Sequence, residues 1–215
     1  MQKVRVGVLG SGDVGRVLAG GFADLGHDVK IGSRDPHKLQ AWADTAGSHA
    51  STGTFAEAAQ FGDIVVLATL GTATAEAIRM AGPDSFAGKV VIDTTNPLDF
   101  SKGMPPRLSV GHSDSLGEQI QRLIPRAKVV KAFNTVGNAH MVHPQFQGGP
   151  PDMFLCGDDD GAKKIVSQIC EHWGWGVIDI GGIEGSRLLE PMCLVWVLHG
   201  ARTGTWMHAF KMLHR

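Results

Sequence analysis

The chain predicts an α/β fold of the doubly wound type, with a mainly parallel sheet, and three observations carry that expectation. Short continuous apolar runs such as Ile64-Val65-Val66-Leu67-Ala68 have the composition of strands covered on both faces. These runs alternate with amphipathic segments of helical period, the order that β-α-β units produce. A turn with three spaced glycines, Gly10-Ser11-Gly12-Asp13-Val14-Gly15, joins the first apolar run to the first helical one.

The first strand lies in Val4-Arg5-Val6-Gly7-Val8-Leu9, and the helix after the turn runs from Asp13 to Leu25 and stops at Gly26. Asp28 to Ile31 forms the second strand. Asp35 is placed to cap the next helix, with Pro36 in its first position, and that helix continues through Leu39 and Trp42 to Ala46-Gly47. A short strand near Ser51-Thr52 and a brief helix from Phe55 to Phe61 precede the strand at 64–68. Gly71 to Ala81 reads as helix and Lys89 to Asp93 as the next buried strand. Leu98 to Ser113, polar and rich in Pro and Gly, reads as a long surface loop near a ligand. Ser115 to Ile124 returns to helix and Ala127 to Ala132 to strand. A further β-α-β follows, with strand Met153 to Cys156, helix Asp159 to Trp173 and strand Trp175 to Ile180.

Ser186 to Lys211 ends the chain as one or two helices that are apolar around most of their circumference. Such a surface has to be covered by the sheet, a substrate or a second copy, and a homodimer is the expectation. The expected organisation is a Rossmann-type dinucleotide-binding domain over residues 1–182 and a short helical extension over 183–215, which lines an acceptor cleft and supplies the dimer contact.

Charge and composition narrow the partners. Twenty Lys and Arg stand against 21 Asp and Glu, a formal net charge of −1. No overall field recruits nucleic acid or an anionic membrane surface, so the expected partner is a small molecule. No apolar run has the length to cross a bilayer, and Met1-Gln2-Lys3 leads into a strand without a signal-peptide layout, so the expected location is the cytoplasm. Cys156, Cys170 and Cys193 are widely spaced and odd in number, the pattern of reduced core thiols. Tyrosine is absent, which excludes reductase mechanisms that protonate the substrate with a tyrosine. Asp158-Asp159-Asp160 stands where a helix begins, and the helix dipole accounts for it without a metal. No metal site is expected.

The glycine turn is a grip for a dinucleotide. Gly10 permits the tight turn, Gly12 removes the side chain that would hold a pyrophosphate away, and Gly15 lets the helix approach the strand. Backbone N–H groups of Ser11, Gly12, Asp13 and Val14 and the positive end of the helix dipole then face the phosphates. The end of the second strand selects the nucleotide. Ile31-Gly32-Ser33-Arg34 offers a guanidinium and a hydroxyl for a 2′-phosphate, and Lys38 adds a second cation, so NADP is expected over NAD.

The motifs Gly-Ser-Gly-Asp-Val-Gly at 10–15, Ile-Gly-Ser-Arg at 31–34 with Lys38, Asp-Thr-Thr-Asn-Pro-Leu at 93–98, Val-Lys-Ala-Phe-Asn-Thr at 130–135, Phe-Leu-Cys-Gly-Asp-Asp at 154–159 and Gly-Ser-Arg-Leu-Leu-Glu at 185–190 together resemble a known family. It is the NADP oxidoreductases that depend on the deazaflavin coenzyme factor 420 (8-hydroxy-5-deazaflavin), a family that also includes the cytosolic domain of membrane metalloreductases. The resemblance implies an NADPH-dependent oxidoreductase in which hydride passes directly between the nicotinamide and a second ring. It implies that Ala68, Thr69, Leu70, Asn96, Pro97, Ala132, Phe133, Asn134 and Thr135 frame the nicotinamide at the carboxyl ends of strands. Phe133-Asn134-Thr135 is closer to the metalloreductase branch, so the second substrate stays open among a deazaflavin, a flavin, a quinone and another small redox acceptor.

Transfer between two aromatic carriers needs alignment and exclusion of water and no dedicated acid or base, and no catalytic residue is assigned. His140 and His143 lie one helical turn apart if their segment is helical, as solvated histidines or as a polar lining for the acceptor. His112 reads as a surface loop histidine. Trp173, Trp175, Trp196 and Trp206 read as core or dimer contacts. Arg187 either binds an anionic acceptor tail or pairs with Glu190. Two rival functions are a non-catalytic NADP-sensing module and a β-hydroxyacid or imine dehydrogenase. The second calls for a large helical domain after the sheet, and about thirty residues follow Ile180.

Overall fold

A computed structural model describes residues 2–213. Its eight-stranded sheet has the order β10-β9-β8-β5-β4-β1-β2-β3. The strands are β1 (Arg5–Leu9), β2 (Asp28–Gly32), β3 (Ala50–Gly53), β4 (Ile64–Leu67), β5 (Val90–Asp93), β8 (Lys128–Lys131), β9 (Asp152–Gly157) and β10 (Gly176–Asp179). Two further short strands, β6 (Leu98–Asp99) and β7 (Arg107–Leu108), pair with each other as an antiparallel hairpin. Among the described residues seven α-helices accompany them: α1 (Asp13–Asp24), α2 (Gln40–Ala46), α3 (Phe55–Phe61), α4 (Gly71–Ala81), α5 (Leu116–Leu123), α6 (Asp160–His172) and α7 (Ser186–Thr203).

The doubly wound expectation holds. Strand β1 pairs in parallel with β2 on one side and β4 on the other, so the chain winds outward from β1 in both directions. A crevice therefore opens above the carboxyl end of β1, where ligands of open α/β sheets bind. Alternate residues feed two cores. Val6, Val8, Val66 and Ile92 pack with Leu18, Phe22, Ile169 and Trp173 on one face. Leu9, Val65, Leu67 and Val91 pack with Ala58, Ile78, Phe86 and Ile120 on the other. Burial on both faces is why these strands read as unbroken apolar runs.

Several local readings change. Asp35 makes no side-chain capping bond, and a 3-10 turn (Pro36–Leu39) comes before α2. The Asp35 carboxylate lies 3.4 Å from Lys38 Nζ instead. The loop at 98–113 contains the β6–β7 hairpin. Strand β9 runs antiparallel to β8, because the connection between them holds only a three-residue 3-10 turn (Asn138–His140) and stays at the carboxyl end of the sheet. The C-terminal helix ends at Thr203, where Gly204 adopts the left-handed conformation at φ 70°, and residues 204–213 contain no helix. This tail folds back to the start of β9, with the Asp152 N–H donating to the Phe210 carbonyl at 2.9 Å.

His27, buried beneath α1, accepts a hydrogen bond from the Val4 N–H at 3.2 Å through Nδ1. Its Nε2 has no partner among the described residues. Burial holds its pKa below the ordinary imidazole value. The folded state thus keeps this ring neutral where the unfolded chain already binds a proton. The stability it contributes is complete above about pH 6.5 and drains away as pH falls through the unfolded and then the depressed folded value. Urea midpoints at about pH 8 and about pH 5.5 should differ less in His27→Gln than in the parent protein; an unchanged difference would remove His27 as the cause.

Candidate functional site

The three turn glycines have different reasons to be glycine. At Gly10, where φ is 133°, a Cβ would stand 2.2 Å from the Ala68 carbonyl oxygen. At Gly15 it would stand 2.0 Å from the Gly10 carbonyl oxygen, so α1 approaches the end of β1 too closely for any side chain. At Gly12 a Cβ would meet nothing within 4 Å. Internal packing requires glycine at the first and third positions and leaves the second open toward solvent. A dinucleotide pyrophosphate fits that open step, because no side chain caps α1 and its first-turn N–H groups point to the same side.

The end of β2 is tied to this turn, since the Gly10 N–H donates to the Gly32 carbonyl at 3.1 Å. Ser33 is buried, and its Oγ accepts from the Asp35 N–H at 3.0 Å. Arg34 is exposed and makes no side-chain hydrogen bond or ion pair among the described residues. Lys38 is shared with Asp35, whose carboxylate is directed at that lysine. The guanidinium is therefore the cation at this strand end that no carboxylate engages.

The other predicted loops converge at the neighbouring strand ends. Ala68 N–H donates to Leu9 O at 2.8 Å, Thr94 N–H to Leu67 O at 3.2 Å and Ala132 N–H to Asp93 O at 3.1 Å, which aligns the ends of β1, β4, β5 and β8 in one row. Thr69 Oγ1 lies 2.9 Å from Thr74 Oγ1, inside the first turn of α4, beside the exposed Leu70. Asn96 and Asn134 clasp each other: Asn96 Nδ2 donates to the Asn134 carbonyl at 2.8 Å, and Asn134 Nδ2 donates to Asn96 Oδ1 at 3.0 Å. Pro97 accepts from the Ser109 N–H at 2.8 Å, which anchors the hairpin loop to the same row. Thr135 is buried behind Asn134.

Comparison with known proteins identifies the family. The family described as NADP oxidoreductase, coenzyme F420-dependent, matches residues 5–97. The F420-dependent NADP reductase of Methanothermobacter marburgensis is 31% identical over 211 residues, covering 88% of this chain and 89% of the relative. This chain belongs to that family. A crystal structure from Arthrobacter sp. FB24, provisionally described as an F420-dependent NADP-reductase, aligns with a TM-score of 0.94 at 41% identity, covering 98% of this chain and 100% of that one. The metalloreductase STEAP3 of Rattus norvegicus is 31% identical over 197 residues, and the chain spans 36% of its length. The chain spans 61% of the F420-dependent NADP reductase of Methanocaldococcus jannaschii. A solved structure of the reductive aminase of Aspergillus terreus shares the fold at 18% identity and a TM-score of 0.66, and 64% of that chain is covered.

Within this member of the F420-dependent family, other candidates fall into place. Arg187 pairs with Glu118, Nε to Oε2 at 2.9 Å, and not with Glu190. The Arg187 side chain, with Ser115, holds the Glu118 carboxyl below its ordinary range against the opposing effect of burial. His140 and His143 do not share a helix. His140 ends the short 3-10 turn with its ring 5.0 Å from that of Phe146, and His143 has a left-handed φ of 50°. Asp159 caps α6 by accepting from the Ala162 N–H at 2.7 Å, and Asp158 accepts from the Ile183 N–H at 2.8 Å. Trp173, Trp175 and Trp196 are buried and Trp206 is exposed. Burial pushes the Cys156 thiol up to about 11 and that of Cys193 up to about 12, so neither is a nucleophile at neutral pH.

Two features escape sequence reasoning. Phe133 has φ 62°, a conformation a bulky residue rarely adopts, while its ring is buried 5.5 Å from that of Trp173. Strain of this kind gathers at ligand-facing segments, and no pattern of residue types announces it. The second is a fully buried Lys131 between Asp93 and Glu190. Its available signal was a lysine closing the otherwise apolar Val129-Val130 pair.

Gly12→Ala should fold with an unfolding midpoint near the parent value yet lose dinucleotide affinity about tenfold or more, ~1.4 kcal/mol. Gly15→Ala should lose ~1–3 kcal/mol of stability through overpacking. Thermal unfolding and calorimetric titration of NADPH check both, and undiminished binding by Gly12→Ala would mean that the phosphates lie elsewhere.

Proposed function

We propose that this chain is an NADPH-dependent oxidoreductase that exchanges a hydride between NADPH and a small planar redox carrier, a deazaflavin, flavin or quinone-like acceptor. The observation that carries this reading is the pairing of an open Gly12 step with an unpaired Arg34 guanidinium across one 3.1 Å backbone hydrogen bond, Gly10 N–H to Gly32 O. These two features have the chemistry of a pyrophosphate cradle and a 2′-phosphate clamp. In this reading Gly10, Ser11, Gly12, Asp13, Val14 and Gly15 hold the phosphates, and Ser33, Arg34 and Lys38 hold the phosphorylated ribose.

Ala68, Thr69, Leu70, Asn96, Pro97, Ala132, Phe133, Asn134 and Thr135 then underlie the nicotinamide, whose chemistry when bound is the release of a hydride, two electrons with one proton. These loops orient the ring and exclude water, and neither task requires a titrating side chain. The acceptor's approach is apolar. Leu70 and Leu188 are 79% and 69% exposed, and a groove of about 790 Å³ runs between the hairpin residues Leu108 and Val110 and the α7 residues Leu188, Pro191 and Leu194. Ser109 ties that groove to Pro97, next to the nicotinamide floor. Its apolar walls suit a planar ring, and its rim carries His112, Glu184 and the Arg187 already paired with Glu118.

A homodimer is part of the same proposal, because Leu188, Val195 and Leu198 leave one face of α7 apolar and exposed. Among the described residues no helix is long and apolar enough to cross a membrane. A cytoplasmic enzyme that meets both carriers in solution is the arrangement we infer.

Titration of NADPH and NADH into the parent protein and Arg34→Ala tests the nucleotide assignment. Loss of the charge-assisted bonds should cost NADPH about tenfold or more, ~1.5–3 kcal/mol, with NADH nearly unaffected. Equal losses would place the phosphate away from β2. Following NADPH oxidation against deazaflavin, flavin, quinone and ferric acceptors tests the reaction, and tight NADPH binding with no turnover on any of them would instead describe a sensor.

A further inference from the structure

The loops Asn96 and Asn134 are held from beneath by a buried ionic cluster that contributes no group to the binding surface itself. Lys131 is fully buried at the end of β8. Its ammonium lies 2.7 Å from Asp93 Oδ2 and 3.0 Å from Glu190 Oε1, and it donates to the Thr95 carbonyl at 2.8 Å. Those three partners come from β5, from α7 and from the loop after β5. Burial works against the charge of Lys131, and the two carboxylates outweigh it, so its pKa stands above the ordinary lysine value.

The cluster closes a circuit around the nicotinamide floor. Glu190 also accepts from the Leu116 and Gly117 N–H groups at the start of α5, each at 3.0 Å. Asp93 Oδ1 accepts from the Thr95 N–H at 2.9 Å and the Thr95 hydroxyl at 2.6 Å, which fixes the residue preceding Asn96. Asn96 clasps Asn134, and Asn134 Nδ2 donates to the Leu189 carbonyl at 2.9 Å, returning to α7 one residue before Glu190. The packing has no slack, since a Cβ on Gly117 would lie 2.3 Å from Ser186 Oγ and 3.0 Å from Lys131 Cε. Apolar residues of similar volume would fill such a space without the desolvation of three charges. What they would not supply is direction, a fixed height of α7 against the two asparagines.

We infer that Lys131 and Glu190 are positioning residues for the nicotinamide end of the bound dinucleotide: they key α7 to β5 and β8 and so set the Asn96–Asn134 clasp under the ring. This rests on the NADP reading of the preceding section. The adenosine end, held at Gly12 and Arg34, lies outside the circuit, and the two ends can be probed separately with NADPH and adenosine 2′,5′-bisphosphate.

The test compares the parent protein with Lys131→Met, Glu190→Leu and the conservative Glu190→Gln, each verified by circular dichroism and cooperative unfolding. In Lys131→Met and Glu190→Leu the bisphosphate should bind within about twofold of the parent, while NADPH affinity falls about tenfold, ~1.4 kcal/mol, and the fluorescence of bound NADPH moves toward that of the free compound. Glu190→Gln, whose one carbonyl oxygen can still accept from the Gly117 N–H and from Lys131 while its NH2 faces the Leu116 N–H, should recover part of both signals. Should either larger substitution prevent folding, Glu190→Gln carries the test by the same ratio. Equal weakening of both ligands, or an unchanged ratio and fluorescence in folded variants, would overturn the positioning role. A parent protein that binds neither ligand would instead refute the NADP reading.

Discussion

The approach of α1 to the end of β1, close enough that a Cβ at Gly15 would fall 2.0 Å from the Gly10 carbonyl, governs what the molecule can present to a ligand. That contact brings the free N–H groups of the helix to the top of the sheet at the one strand where the winding reverses direction. Helix dipole, unsatisfied donors and an unobstructed Gly12 then coincide at a single point. The row of loops at the ends of β4, β5 and β8 continues from it, held in line by backbone hydrogen bonds of 2.8–3.2 Å between adjacent strand ends. A long, flat, anionic ligand is the shape that such a row accepts.

Along that row the sources of rigidity differ. At the β2 end, the Arg34 guanidinium is exposed while the neighbouring Asp35 carboxylate faces Lys38. At the β8 end, the loop is fixed by buried charge, a strained Phe133 and the asparagine clasp. In the proposed reading one end supplies affinity and discrimination between nucleotides, the other alignment. Hydride transfer needs the second more than the first, because the reaction distance and ring alignment carry the rate.

Much of this was legible in the residues alone. Glycine spacing after an apolar run specifies the turn, and the paired-face burial of Val65, Val66, Val91 and Ile92 makes their strands readable as unbroken hydrophobic stretches. Gly71–Ala81 and Phe55–Phe61 were readable for the same reason, in that a helix packed on a sheet shows one apolar stripe. What sequence could not show is non-local. The antiparallel β9 depends on where a helix-poor connection travels, and the end of α7 depends on Gly204 adopting a left-handed conformation. The pairing of Arg187 with Glu118 joins residues 69 positions apart, whereas helical spacing suggested Glu190 three residues on. Glu190 was already engaged by Lys131, a partner no local pattern reveals.

In the proposed function the dinucleotide lies along the carboxyl ends of β2, β1, β4, β5 and β8, phosphates at the glycine turn and nicotinamide at the asparagine clasp. A crystal structure of the NADP-bound protein tests it most directly. The pyrophosphate should lie within hydrogen-bonding distance of the N–H groups at 12–14, the 2′-phosphate against Arg34 and the nicotinamide above Asn96 and Asn134. A dinucleotide seated away from the glycine turn, or with its adenosine and nicotinamide ends exchanged, would contradict it.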